Sequence, residues 1–289
     1  MLKIKIHSID AYHFCFEFLE SVTKEEIIQF FHLSKKMQKT VQFPRKDHYD
    51  AKERICIYFP VEPFESTNEN SIDLIYEDEM VLVVNKPPFL LVHSDGQTKD
   101  TLQNRVNAYL YQTGWCHKAQ AIQRIDYETS GLVIFSKNPF FQPCFDYLIA
   151  SHQIKKQYLC IVEGLFPHNT ITINKPISRN RHNAKAMIVH PKGKEAISII
   201  QCLKRSKNRS LLKVDIKTGR KHQIRVHCSS LGYPIMNDKI YGHVFDQRGL
   251  LLQNQSFTFI HPIYRHKIEL HLEMDPRFTK EFDKKFGNQ

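Results

Sequence analysis

Gln123-Arg124-Ile125-Asp126-Tyr127-Glu128-Thr129-Ser130-Gly131 runs without a break into Leu132-Val133-Ile134-Phe135. The first nine residues are polar and end on glycine. The next four are apolar, short enough for a strand, and suit a position buried on both faces. A polar loop held against such a strand is where catalytic groups tend to sit. Taken alone, an ordinary turn with Asp126 bonded to nearby backbone is the better account of the segment. What lies around it must decide.

Outward from this stretch the chain alternates short apolar runs with turns. Leu74-Ile75-Tyr76 and Val81-Leu82-Val83-Val84 flank the acidic turn Glu77-Asp78-Glu79. Asn85-Lys86-Pro87-Pro88 then reads as the end of a strand and a turn, nothing more. Residues 101–111 read as a helix, with Leu102, Val106 and Leu110 at spacing four. Phe145, Leu148 and Ile149 give a second, short helix. Residues 158–162, 186–189, 195–203 and 211–216 read as strands. Ile224, His227, Cys228 and Leu231 return to helical spacing, and Gly232 stands where a glycine would end the helix. Many strands with few helices predict an α+β enzyme built on a mixed sheet.

Residues 1–63 differ in character. Ile4, Ile6, residues 13–16 and Phe18 suggest short strands. Thr23 before Lys24-Glu25-Glu26 reads as a helix N-cap with acids in the first turn. Lys35, Lys36, Lys39, Arg45 and Lys46 form a basic stretch, residues 54–59 a strand, and Glu62 to Ser71 a polar linker. The expected division is a small N-terminal domain over residues 1–70 and a catalytic domain over 71–289.

The 289 residues carry a formal net charge of +11, which calls for an anionic partner: RNA, DNA or a membrane surface. No basic amphipathic helix supports the last. Phe and Tyr at 20 and 12 copies argue against disorder. The seven cysteines are odd in number, scattered, and form no C-x-x-C pair, so neither a zinc site nor a disulfide framework is expected. That usage, with no apolar leader at the N-terminus and no run near the ~20 residues of a membrane span, predicts a cytoplasmic protein. No G-x-x-x-x-G-K-[ST], G-x-G-x-x-G or G-x-S-x-G motif is present, nor the H-x-E and P-C-x-x-C pair of a zinc deaminase.

Two further segments could carry chemistry. In Lys155-Lys156-Gln157-Tyr158, an aromatic enters a strand beside cations, as a base-stacking residue beside phosphate contacts would; a core tyrosine is the plainer reading. Thr218-Gly219-Arg220-Lys221-His222-Gln223-Ile224-Arg225-Val226-His227 gathers cations at the start of a candidate helix, where free N–H groups suit an anion. Its plainer reading is a solvated basic face. His222 and His227 are five apart, a poor spacing for two metal ligands on one helix face.

Together, and in this order, the segments from about Leu74 to Pro262 resemble the RluA-type pseudouridine synthases of ribosomal and transfer RNA. The pieces that match are Arg124-Ile125-Asp126 with Glu128 to Leu132, Lys156-x-Tyr158 with Val162-x-Gly164, and Thr218-Gly219-Arg220-x-His222-Gln223-Ile224-Arg225-x-His227. Gly232-x-Pro234-Ile235, Asp238 and Tyr241-Gly242 continue the last in register. The resemblance implies a cofactor-free, metal-free isomerase acting on uridine in rRNA or tRNA, on that family's fold of a central mixed, mostly antiparallel sheet flanked by helices and loops; nothing in the sequence suggests an oligomer, so a monomer is expected. Asp126 would be the nucleophile, Tyr158 would stack on the target base, and Arg225 would pair with Asp126. Arg124 would fill the gap left by the flipped nucleotide, and Ile224 would wall the base. Lys156, Arg220, His222 and Gln223 would complete the substrate contacts, and Lys204, Arg205, Lys207, Arg209, Lys213 and Lys217 would hold RNA backbone. Residues 14–31, 33–41 and 55–59 resemble a degenerate S4-type RNA-binding module. The chain departs from the family at Gln123, where histidine is common, and at Gln253-Asn254-Gln255, where His-Ala is usual. Two other readings stand beside this one: a non-catalytic RNA-binding or ribosome-assembly factor on the same fold, and a hydrolase using Asp126 and Glu128 as paired carboxylates.

Overall fold

The computed structural model describes residues 2–41, 46–60, 71–243 and 245–282. The linker expected over 62–71, apart from its last residue, and Arg45 of the basic stretch lie outside the described residues.

The N-terminal part contains β1 (Ile4–Ile9), β2 (His13–Phe18), β3 (Val22–Thr23), α1 (Lys24–Phe30), α2 (Lys35–Thr40), β4 (His48–Tyr49) and β5 (Ile55–Tyr58). Thr23 caps α1 as its spacing predicts: its hydroxyl accepts from Glu26 N while the Glu26 carboxylate accepts from Thr23 N. Lys35, Lys36 and Lys39 of the basic stretch lie on α2, which Ser34 caps. Strands β1, β2 and β5 form a three-stranded antiparallel sheet.

One expectation from the cysteines is overturned here. Cys15 and Cys56 are directly paired across β2 and β5 and form a disulfide, with Cα atoms 4.1 Å apart. The two lie 41 positions apart in sequence, so no spacing motif reveals them; strand pairing brings them together. The other five cysteines are free.

The remainder holds β6 (Asp73–Glu77), β7 (Val81–Lys86), α3 (Leu102–Gln112), β8 (Gln120–Ala121), β9 (Ser130–Ser136), α4 (Gln142–Ala150), β10 (Lys155–Glu163), β11 (Thr170–Asn174), β12 (Ile177–Arg179), β13 (Met187–Val189), β14 (Ile197–Ser206), β15 (Arg209–Ile216), α5 (Gln223–Ser230), β16 (Leu252–Ile260), β17 (Lys267–His271) and α6 (Pro276–Phe282). Its main sheet has the order β11-β14-β15-β10-β16-β9-β7-β6, with β17 on β16 and β8 on β9. Every pairing is antiparallel except β9 with β16. The fold is thus the α+β arrangement on a mixed sheet that the apolar runs predict, and the sheet is mostly antiparallel, as the resemblance implies. No described helix is long and apolar enough to cross a membrane.

That single parallel contact joins two halves of the sheet, at Gln253↔Ser130 and Asn254↔Gly131. Gly131 has φ +111°, and a Cβ on it would lie 2.2 Å from the Asn254 carbonyl oxygen. Only glycine fits both demands. Beside it the Asn254 amide donates to Leu132 O. Ser130 Oγ donates to Asp275 and accepts from Arg277, whose guanidinium also reaches the carbonyls of Arg248 and Leu250. Gln253 bonds Glu273 O and Asp275 N. Of the residues at which the chain departs from the usual pattern, Gln253 and Asn254 are therefore occupied in fastening this seam.

The N-terminal sheet shares a continuous core with the rest. Phe14, Phe16 and Phe31 pack against Phe140, Phe141 and Phe145 of and just before α4, with ring centroids 5.1 Å apart for Phe31–Phe140 and 5.3 Å for Phe14–Phe141. Such edge-on and tilted aromatic contacts add to the burial itself.

Gly131→Ala is expected to lower the free energy of unfolding by roughly 3 kcal/mol or more, through backbone strain and the clash with Asn254; urea titration of the purified variant would measure it, and a loss under about 1 kcal/mol would contradict the seam described here.

Candidate active site

Asp126 stands in the loop between β8 and β9, on the first half of the sheet. Its carbonyl accepts from Thr129 N at 3.1 Å, closing the turn. Gln123 steadies the loop from behind: its amide donates to Leu132 O and accepts from Ile134 N, extending the ladder along β9 by a side chain. The buried Lys86, at the end of β7, holds the front. Its ammonium donates to the carbonyls of Pro87 and Leu90 at 2.8 Å and of Tyr127 at 3.1 Å. Burial pushes its pKa down to about 7, against the pull of the nearby Asp126 charge.

The second half of the sheet supplies Arg225, on α5. The guanidinium is 3% exposed and would be costly to bury unpaired. Asp238, itself fully buried, accepts from Arg225 Nε at 2.8 Å and Nη2 at 2.7 Å, a bidentate pair. Asp238 Oδ1 also accepts from the backbone N–H groups of Ile240 and Tyr241. With two sides of the guanidinium so fixed, Nη1 projects to Asp126 Oδ2 at 3.3 Å. Glu128 lies near the same guanidinium at 4.0 Å and near Lys239 at 3.9 Å. Burial works against the charge on Arg225, but Asp238, with help from Asp126, raises its pKa overall. The Tyr241 ring lies 5.4 Å from the guanidinium carbon.

The structure thus brings Asp126 and Arg225 together, though Asp238 rather than Asp126 is the tight partner of the arginine. Tyr158, on β10, is 8% exposed and packs in one apolar cluster with Ile125 and Ile224. Burial, and then the charge of Asp126, raise its phenol pKa. Lys156 lies two residues along the same strand, and burial lowers it to about 8. Arg124 is exposed on the loop.

The cationic segment is arranged differently from its sequence reading. The helix begins only at Gln223, and residues 218–221 form the turn before it. Gln223 is committed to that turn: its carbonyl accepts from Thr218 Oγ1 and Arg220 N, and its amide donates to Ile197 O and Ser198 Oγ. Arg220 donates to Glu195 O. His222 is the N-cap in a left-handed conformation, φ 56°. Its Nδ1 contacts the Tyr241 hydroxyl at 2.9 Å and its Nε2 lies 3.8 Å from Asp126. The bracing role of Lys86 and the pairing role of Asp238 are absent from the sequence reading. A lysine that closes an apolar strand is the one local sign of the first; the second has none, because thirteen residues separate it from its partner.

Two lysines are expected to titrate far below the ordinary value. In a carbon-13 NMR titration, one lysine resonance near pH 7 should vanish in Lys86→Met and another near pH 8 in Lys156→Met; all lysines titrating above about pH 9.5 would refute the burial argument.

A profile of the RNA pseudouridylate synthase family matches residues 80–230, which include Asp126, Tyr158 and Arg225. The chain is 37% identical over 176 residues to the uncharacterized RNA pseudouridine synthase YhcT of Bacillus subtilis, covering 59% of this chain and 58% of that protein. It is 38% identical over 201 residues to an uncharacterized RNA pseudouridine synthase of Aquifex aeolicus, covering 66% and 63%. The ribosomal large subunit pseudouridine synthase D of Zymomonas mobilis is 32% identical over 223 residues, covering 70% and 69%. The chain therefore spans roughly three-fifths of the length of the Bacillus and Aquifex relatives. The human RNA pseudouridylate synthase domain containing 1 shares the fold, with a TM-score of 0.61 at 22% identity over 74% of this chain and 87% of that one. With a profile matched over more than half of its residues and a relative matched over 70% of them, this chain belongs to the RNA pseudouridylate synthase family.

Proposed function

We propose that the protein isomerises uridine to pseudouridine in a structured RNA, with Asp126 as nucleophile and without a cofactor. The observation that carries this reading is the placement of Asp126: 29% of its side chain is exposed, at the tip of a braced loop, against one N–H of an arginine immobilised by another carboxylate. That arrangement leaves Asp126 accessible with a fixed cationic group against it. The reaction breaks N1–C1′, joins C5 to C1′, and moves the C5 proton to N1, so no atom is gained or lost. A covalent adduct with Asp126 divides the step in two. Tyr158 would stack on the flipped base, with Ile224 as its apolar wall and Arg124 at the exposed rim. Flipping costs a few kcal/mol, and stacking returns roughly 1–3 kcal/mol. Lys156, Arg220 and His222 would meet the RNA, while Gln223 would act through the turn that it holds.

The charge distribution supports an RNA partner. Lys175, Arg179, Arg181, Lys185, Lys192 and Lys194 lie on and around the β12–β13 hairpin, with no acidic residue between the first and the last. The hairpin packs against α5 through Ile177, Met187 and Val226, and Met187 N donates to the same Tyr241 hydroxyl that contacts His222. Arg205, by contrast, is committed to Phe166 O and His168 O. The name of the Zymomonas relative favours large-subunit ribosomal RNA over transfer RNA as the substrate. We assign residues 1–70 to a small N-terminal module, degenerate S4-like, and 71–289 to the catalytic domain; the separate three-stranded sheet supports that division. The protein would act as a cytoplasmic monomer. Five free thiols suit that compartment.

Chemical mapping of pseudouridine in RNA from cells lacking the gene should show one or a few missing sites, restored by wild type and not by Asp126→Ala. Restoration by both would leave a binding factor as the better reading. Replacing Arg181 and Lys185 by alanine should weaken RNA binding and flatten the dependence of log affinity on log salt, by about 1 in slope for each phosphate that is no longer neutralised; an unchanged slope would remove the hairpin from the interface.

A further inference from the structure

We infer that Phe89 and Tyr127 form a stacking platform for an unpaired nucleobase beside the target uridine, an inference that rests on the RNA substrate proposed above. Tyr127 follows Asp126 directly and is 48% exposed; Phe89 is 40% exposed. Their centroids are 5.9 Å apart at 67°, an edge-to-face pair that leaves ring surface open to solvent. Bulky apolar groups so placed are a cost in water unless something covers them.

The pair is held in place rather than left loose. Lys86 donates to the carbonyls of Pro87 and Leu90, on either side of Phe89, and to that of Tyr127. One ammonium therefore fixes both rings relative to Asp126. Phe89 adopts φ 61°, a left-handed conformation unfavourable for an aromatic residue. Glycine or asparagine would form the same turn with less strain. Strain kept at an exposed position points to what the side chain does. The ring tip abuts Gly249, where a Cβ would lie 2.3 Å from Phe89 Cζ, so the bare backbone of Gly249 is what admits the ring.

The surroundings select the class of ligand. A cavity of about 550 Å³ opens here, bounded by Pro87, Leu91, Asp95, Asp100, Phe89 and Tyr127. Arg105, also at its wall, is already paired with Asp100 through Nε at 2.8 Å and Nη2 at 2.6 Å. With Asp100 engaged by Arg105, the Asp95 carboxylate beside aromatic and proline surface disfavours phosphate and can accept from an exocyclic amine. A base fits that chemistry and a backbone does not, and bases with an amino group fit best. Base–aromatic stacking tolerates any sequence, so the platform would anchor the strand next to the flipped uridine.

The test compares Phe89→Tyr, which keeps the ring, with Phe89→Leu, which keeps the strain and most of the volume, and Phe89→Gly, which relieves the strain. On the Asp126→Ala background, a single-stranded ribo-oligonucleotide containing 2-aminopurine should be quenched by the parent and by Phe89→Tyr, and bound roughly fivefold or more weakly by the Leu and Gly variants. With Asp126 intact, total RNA from cells lacking the gene should give a KM higher by about the same factor for Leu and Gly, with kcat within about twofold. Equal quenching and equal KM in folded Leu or Gly variants would overturn the platform while leaving the isomerase reading standing. Ring-dependent quenching by a wild-type protein that forms no pseudouridine in any RNA would do the reverse.

Discussion

Where Gly131 lies against the carbonyl of Asn254, two halves of the sheet meet with no room for a side chain. On one side are β9, β7 and β6, which carry the Asp126 loop and Lys86. On the other are β16, β10, β15, β14 and β11, which carry Tyr158 and support the helix bearing Arg225. Neither half contains a site. The close parallel approach sets the distance at which a carboxylate from one meets a guanidinium from the other. The surrounding bonds from Ser130, Gln253, Asn254, Asp275 and Arg277 are consistent with that demand. They satisfy polar groups that a parallel contact of only two residue pairs leaves open.

The site is governed by charge placed where water is scarce. Arg225 is bound from beneath by Asp238 and touched from the open side by Asp126, with Glu128 nearby. Three carboxylates around one buried cation give the guanidinium little freedom to turn. Lys86 is the second buried cation, bonded to three carbonyls rather than to an acid. It spends its donors on geometry, and the loop so braced presents both Asp126 and the exposed Tyr127. Two non-glycine residues with positive φ lie close by: His222, whose Nε2 is 3.8 Å from Asp126, and Phe89, whose ring packs on that of Tyr127. Local strain here is set against buried cations and a dense sheet.

Several elements were legible in the sequence, because they depend on local pattern, whereas β11, β16 and β17 were not. Apolar runs gave β7, β9, β10 and β15, spacing of four gave α3, and Gly232 closed the α5 segment, where φ is 82°. The sequence also brought forward Asp126, Tyr158 and Arg225, because their motifs occur in a fixed order. Contacts between distant positions were decided only by the tertiary structure. Cys15 meets Cys56 because two strands pair. Asp238 rather than Asp126 anchors Arg225 because a turn after α5 folds back beneath it. Gln223, a contact residue by motif, is occupied by its own turn, and Lys86, a strand end by pattern, is buried under the loop. The physical reason is the same in each case. A side chain's type is local information, whereas its partner is fixed by burial and backbone approach, which exist only once the chain has closed on itself.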